Sequence, residues 1–249
     1  MRLDFHTHWG RAWQDRDGRD PSRWLRDLDR YGITHAVVLP HKGLVHAGLI
    51  AEDHDDMAAV CARSAGRMLP FCTANIWFRD EAVAEIRRCL KDLSFRGIKF
   101  HPWLQGASVS NPVMDEVCAL AAEFSVPILF HDGTPPFSLP SQIALLAQRH
   151  PRTQIVLGHC GLFEHFREAS AALNAAENLW GCLCSPHLAG LRHLVEHGPR
   201  ERLLWGSDAG YALVDVYAYR VPLMDLLGLS DAQRELMFAA NPGRLLGLD

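Results

Sequence analysis

The chain has 249 residues, 48% of them hydrophobic and 22% charged, with a formal net charge of −4. That length suits one domain and matches the roughly 250 residues of a single eight-stranded α/β barrel. The apolar content excludes a disordered chain, and the slight acidity leaves no electrostatic footprint for nucleic acid or an anionic membrane.

No apolar run reaches the ~18 residues of a membrane span. The opening Met1-Arg2-Leu3-Asp4-Phe5-His6 lacks the apolar core of a signal peptide, so a cytoplasmic protein is expected.

Short apolar runs alternate with amphipathic stretches from end to end. Strands are predicted at 3–8, 34–40, 68–74, 97–101, 127–131, 154–159, 180–185 and 203–207. Asp20 and Pro21 read as the N-cap and first-turn proline of a helix running to Tyr31-Gly32. Asp80 reads as the cap of a helix carrying Val83, Ile86, Leu90 and Leu93 at helical spacing. Ser230 with Gln233 reads as a capping box for a last helix before Asn241-Pro242. Gly32 and Gly66 follow helices, where a left-handed residue is often required.

The runs 126–130 and 155–157 are continuously apolar, which implies strands buried on both faces, as in a parallel sheet covered by helices. The expectation is a single (β/α)8 TIM barrel with a short extra C-terminal helix, forming one domain over 1–249. A doubly wound open sheet is the alternative, but no Gly-x-Gly-x-x-Gly and no phosphate loop supports it.

The seven cysteines contain no Cys-x-x-Cys pair. Cys182 and Cys184 would share one face of a strand, and all seven read as small buried apolar residues. Histidine is the unusual count: 14, against 6 Met and 4 Tyr.

Residues with metal-ligand chemistry fall at the C-terminal ends of the predicted strands, where barrel enzymes keep their active sites. The first strand ends in His6 and His8, two apart and so facing the same way. The fourth ends Lys99-Phe100-His101, the fifth His131-Asp132, the sixth His159-Cys160 and the eighth Ser207-Asp208. Five such strand ends are not explained by packing, which gains nothing from imidazole.

Carried by DFHTH, GIKFHP, ILFHDGTPP, IVLGHCG, LLWGSDAG and the closing ANPGRLLGLD, the chain resembles the amidohydrolase superfamily over essentially its whole length. Within that superfamily it is most similar to the branch of aminocarboxymuconate-semialdehyde decarboxylase and related hydrolases. The resemblance implies one divalent metal, zinc first, with manganese, cobalt or iron as alternatives. It implies His6, His8, His131 and Asp208 as its ligands, and His159 and Asp208 as the groups that move protons. A carboxylated Lys99 bridging two metals, as in binuclear relatives, is one reading of that lysine. The other readings are contact with the substrate's acidic group, alongside His101, or a structural ion pair. His41, Lys42, Asn75, His187, Trp9 and Trp13 are secondary candidates near the barrel mouth. The remaining histidines, His54 among them, read as solvated surface.

Two reactions fit this pattern. The leading expectation is hydrolysis of a carboxylic ester, lactone or amide bond of a small molecule by activated water. The alternative is non-oxidative decarboxylation of an aromatic or unsaturated carboxylic acid. Decarboxylases of the resembled branch tend to be longer and to carry an arginine for the carboxylate; Arg11, Arg16 and Arg19 in the first loop are not clearly placed for that. A deoxyribonuclease would need a glutamate where Lys99 and His101 stand. A barrel that binds without turnover would not need so many competent strand ends. A small-molecule substrate is expected, with neither nucleic acid nor membrane as partner, and a homodimer is implied by the resemblance.

Overall fold

The computed structural model describes residues 1–10, 20–210 and 213–248. Eight strands pair in parallel in the order β1 to β8: β1 (Leu3–His8), β2 (His35–Leu39), β3 (Met68–Cys72), β4 (Gly97–Phe100), β5 (Ile128–Phe130), β6 (Ile155–Leu157), β7 (Leu179–Leu183) and β8 (Leu203–Trp205). Helices cover the outside: α1 (Ser22–Arg30), α2 (Lys42–Val45), α3 (Ile50–Ala62), α4 (Arg79–Asp92), α5 (Val113–Phe124), α6 (Pro140–Arg149), α7 (Phe166–Ala175), α8 (Leu188–His197), α9 (Val216–Asp225), α10 (Asp231–Glu235) and α11 (Asn241–Leu246). The eight predicted strands are all present, and the barrel is a (β/α)8 TIM barrel.

Alternation along the strands divides the core into two layers. Val37, Leu39, Leu69, Phe71, Leu129, Val156, Cys182 and Leu204 fill the interior, while Val38, Ile98, Phe100, Ile128, Phe130, Ile155 and Leu157 pack beneath the helices. Period-two patterning on strands buried on both faces produces this division.

One strand breaks the alternation, and it is the one that matters. The register of β1 on β2 shifts between Asp4 and Thr7. Phe5 packs inside the barrel, edge-on to Phe71 at 6.0 Å. The next residue, His6, also points inward, between Gly158 and Gly206. A local register shift of this kind re-aims a side chain, and such irregularities recur beside active sites.

The seam between β1 and β8 is closed by backbone bonds at its upper end. Asp208 N–H donates to His6 O at 2.8 Å, and His8 N–H to Ala209 O at 2.8 Å. Below them Asp4, buried in the seam, accepts Ser207 N–H at 3.0 Å and Ser207 Oγ–H at 2.5 Å.

Helix ends follow the sequence with two differences. Asp20 accepts Ser22 N–H at 3.0 Å at the start of α1, and the Ser230–Gln233 capping box forms at α10. Asp80, expected as a cap, lies in the first turn of α4 behind Phe78, where its charge faces the helix dipole without a capping bond. The C-terminal helix does not stop before Asn241-Pro242. It passes through a π-helical turn at Leu236–Ala240 and continues as α11, with Pro242 just after the π turn, where the regular hydrogen-bond ladder is already interrupted.

His54 is not at the surface, as expected, but buried between α3 and α4. Its Nδ1–H donates to Glu85 Oε1 at 2.7 Å, and Thr73 N–H donates to its Nε2 at 2.9 Å. Burial would lower the ring, but hydrogen bonds with Cys89 and Glu85 raise it to about 9, and the Thr73 amide at Nε2 opposes that extra proton. Trp9 is also core, 1% exposed, rather than a pocket wall. Trp13 and the first-loop arginines Arg11, Arg16 and Arg19 lie outside the described residues.

Candidate active site

Three acceptors meet at the C-terminal mouth of the barrel. His6 donates its Nδ1–H to Gly158 O at 3.1 Å, and His8 donates its Nδ1–H to Pro40 O at 3.1 Å. A carbonyl can only accept, so both rings carry their proton on Nδ1 and turn the Nε2 lone pair outward. Each Nε2 lies 3.4 Å from Asp208 Oδ1. Both lone pairs therefore lie beside the Asp208 carboxylate, and that of His6 also faces Lys99 Nζ at 3.3 Å.

That donor set is what a divalent cation requires: neutral imidazoles oriented by backbone carbonyls, plus one carboxylate. The residues fit the group. The three donor atoms lie within 4.8 Å of one another.

Asp208 adopts a left-handed backbone, φ 63°, which costs a non-glycine residue about 1–2 kcal/mol. Its N–H bond to His6 O holds it there. Burial alone would raise its carboxyl, but His8, His6 and His159 around it hold it well below the usual carboxylate range. The group stays ionised.

Glycine makes the room for His6. A Cβ on Gly206 would stand 2.7 Å from His6 Cβ and 2.6 Å from Cys182 Sγ, and one on Gly158 would stand 2.5 Å from Phe130 O. No side chain fits at either position without moving the histidine or the neighbouring strand.

Lys99 projects into the barrel, fully buried, with Nζ 3.3 Å from His6 Nε2. Burial lowers its ammonium to about 8, partly against the attraction of Asp208. Among the described residues it has no carboxylate within ion-pair distance, so the structural ion pair drops out of its three readings.

His131 and His101 stack face to face, 3.7 Å apart and 13° from parallel, while His131 meets His159 edge-on at 4.2 Å. Burial, with the like charge of Lys99, pushes His131 down to about 3; burial, with His131 and Lys99, pushes His101 down to about 2. Both are neutral imidazoles. Leu104 N–H points at His101 Nδ1 at 3.4 Å, which leaves the His101 proton on Nε2. His131 is not part of the close triplet of His6, His8 and Asp208.

His159 is held by two residues that sequence reasoning missed. Asp132 accepts His159 N–H at 2.7 Å and Gly161 N–H at 2.6 Å, and Ser185 Oγ lies 2.6 Å from His159 Nδ1. Burial, reinforced by His131 and His6, keeps the ring well below its ordinary pKa. The His-Asp dipeptide at 131–132 was the available signal for Asp132; Ser185 had none.

Of the secondary candidates, Asn75 accepts Trp77 N–H within a turn at 3.1 Å. Lys42 pairs with Asp56 at 3.3 Å, and His187 caps α8 by accepting Gly190 N–H at 3.2 Å. All three stabilise local structure.

Comparison with known structures finds this fold many times. A 2,6-dihydroxybenzoate decarboxylase from Rhizobium superposes with a TM-score of 0.75 at 18% identity, covering 100% of this chain and 99% of that one. A probable 2-pyrone-4,6-dicarboxylic acid hydrolase from Acinetobacter baumannii, with citric acid bound, gives 0.71 at 14% identity, covering 99% of each chain. A dihydroxybenzoic acid decarboxylase from Polaromonas sp. JS666, with bound manganese and 2-nitroresorcinol, gives 0.75 at 14% identity, covering 99% of this chain and 97% of that one. At such identities the likeness establishes the fold alone. No curated protein matches the sequence. The amidohydrolase family model matches residues 3–248. The chain is an enzyme of the amidohydrolase family.

Proposed function

We propose that the enzyme uses one divalent cation, held by His6, His8, Asp208 and His131, to hydrolyse a carboxylic ester, lactone or amide bond of a small molecule. The observation that carries this reading is the pair of Nδ1-tethered histidines whose Nε2 atoms converge on Asp208 Oδ1, each at 3.4 Å. When bound there, the cation supplies Lewis acidity, polarising a carbonyl and lowering the pKa of a water from 15.7 towards about 7. Zinc suits three imidazoles and a carboxylate, and manganese, cobalt and iron accept the same set.

The chain's own residues do the rest. Asp208, ionised and 36% exposed at the mouth, takes the proton of the attacking water. His159, aligned by Ser185 and Asp132, passes that proton to the leaving group, a step worth roughly 10²–10⁴-fold. The His101 Nε2–H donates to a substrate oxygen, and Lys99 sets a positive potential beneath the developing negative charge.

Decarboxylation is the second reading, and the likeness to two benzoate-type decarboxylases favours it. There the cation would orient the substrate, and a proton would be delivered to carbon in place of the departing carboxyl group.

One assay separates the two. Metal-free protein, reconstituted with Zn2+ or Mn2+, is offered lactones, esters and amides with acid release monitored, and hydroxybenzoates with CO2 release monitored. Hydrolysis without CO2, lost in Asp208→Asn, supports the first reading. CO2 release with no hydrolysis replaces it by the second.

A further inference from the structure

Beside the first donor set lies another, which adds to His6 and His159 a thiol that the proposed mechanism does not use. Cys184, one residue past β7, has its Sγ within 4.8 Å of ring nitrogens of both His6 and His159. The thiol is fully buried, and among the described residues Sγ makes no hydrogen bond. It faces the interior with Cys182 and Leu204, and its backbone N–H is turned back onto Cys182 O at 2.9 Å. An unpartnered buried thiol between two imidazoles offers a donor set softer than one built on a carboxylate.

The two sets share His6. Its Nδ1–H is committed to Gly158 O, so it has one lone pair to give. One ion occupies one set or the other.

We propose that His6, His159 and Cys184 form an alternative, thiophilic metal position, which captures a soft divalent ion such as Cd2+ in exclusion of an ion at His6, His8 and Asp208. This inference rests on the metal-centre reading above. Hard ions such as Mn2+ favour the carboxylate-bearing set, while a soft ion gains more from sulfur. Capture at sulfur requires the thiol to release its proton to solvent, one per ion bound. Capture also takes His159 from proton transfer, so soft ions inhibit by occupying the wrong donors.

The protein has another thiol-bearing cluster, His54, Glu85 and Cys89. It is closed to a cation, because Thr73 N–H occupies His54 Nε2 and leaves the ring proton on Nδ1, facing the other two donors.

The test titrates metal-free protein with Mn2+, followed by electron paramagnetic resonance, and with Cd2+, followed by ultraviolet thiolate-to-cadmium charge-transfer absorption. In the wild type, Cd2+ is expected to displace Mn2+ one for one as the absorption grows, with one proton released. Cys184→Ser and Cys184→Ala are expected to lose the absorption and at least tenfold in Cd2+ affinity, with Mn2+ affinity within twofold of wild type. Retained absorption in both variants, or Cd2+ binding to the wild type without displacing Mn2+, overturns the proposal. Failure of the wild type to bind Mn2+ at all, or Mn2+ affinity unaffected by His8→Ala, would overturn the underlying metal-centre reading instead.

Discussion

Asp4 touches neither substrate nor the candidate metal position, yet it holds both strands that carry it. Its Oδ1 accepts His6 N–H at 3.1 Å and Ser207 N–H at 3.0 Å, and its Oδ2 accepts Ser207 Oγ–H at 2.5 Å. Asp4→Ala strands two buried backbone N–H groups, each at about 1–3 kcal/mol, while the Ser207 hydroxyl can rotate. Part of that loss is returned, because burial already pushes the Asp4 carboxyl up to about 7 and the folded state bears the cost of its charge. The expected net destabilisation is about 2–4 kcal/mol, a large share of the 5–15 kcal/mol typical of a domain. Slackening His6 against Asp208 is also expected to weaken metal binding roughly 10–100-fold.

Urea unfolding and metal titration measure the two effects. Asn178→Ala is the control: it removes a buried amide that donates to Ala147, His150 and Thr153 carbonyls, away from the mouth. It should cost similar stability with metal affinity intact. An Asp4→Ala protein whose metal affinity falls no further than the control's refutes the positioning role. An unchanged unfolding midpoint refutes the hydrogen-bond argument itself.

Gly206→Ala drives a Cβ to 2.7 Å from His6 Cβ, so overpacking of about 1–3 kcal/mol and weaker metal binding are expected in thermal unfolding and metal titration. Ser185→Ala frees the His159 ring; kcat should fall at least about tenfold with KM and metal content nearly unchanged, in steady-state kinetics. Glu85 is buried enough to raise its carboxyl, but hydrogen bonds from His54 and Arg88 hold it down at about 2, below its ordinary 4.5. A depressed carboxyl contributes stability above pH ~4.5 that is lost as pH falls towards 2, here about 3 kcal/mol. Urea unfolding of wild type and Glu85→Gln from pH 5 to 2.5 should show the difference between them shrinking as pH falls, and a constant difference would count against this assignment.

What was legible in the sequence follows from what is local. Strand periodicity depends on neighbouring residues, so all eight strands and the shared face of His6 and His8 could be anticipated, while the meeting of that pair with Asp208 was implied by the family resemblance. The five site residues after the first strand lie at the predicted strand ends, although the ladders of β4, β5, β6 and β8 stop earlier, at Phe100, Phe130, Leu157 and Trp205. What was hidden depends on partners far along the chain. Asp4 meets Ser207 203 residues away, and no pattern in DFHTH announces it. The register shift in β1 sends both Phe5 and His6 inward, which strict alternation would forbid. Cys182 and Cys184 were expected as core residues, and they are buried; that Cys184 borders the histidines emerges only when β7 packs beside β8. His54 looked like a surface residue because its partners, Glu85 and the Thr73 amide, belong to other elements.

The central claim is that His6, His8 and Asp208, with His131, form one metal centre. Elemental analysis of protein purified without chelator, paired with Zn2+ and Mn2+ titration of the metal-free form, tests it most directly. Wild type is expected to hold close to one equivalent, with His8→Ala and Asp208→Asn each losing at least about tenfold in affinity. A wild type that binds no divalent ion, or variants that bind as tightly as wild type, would contradict the account.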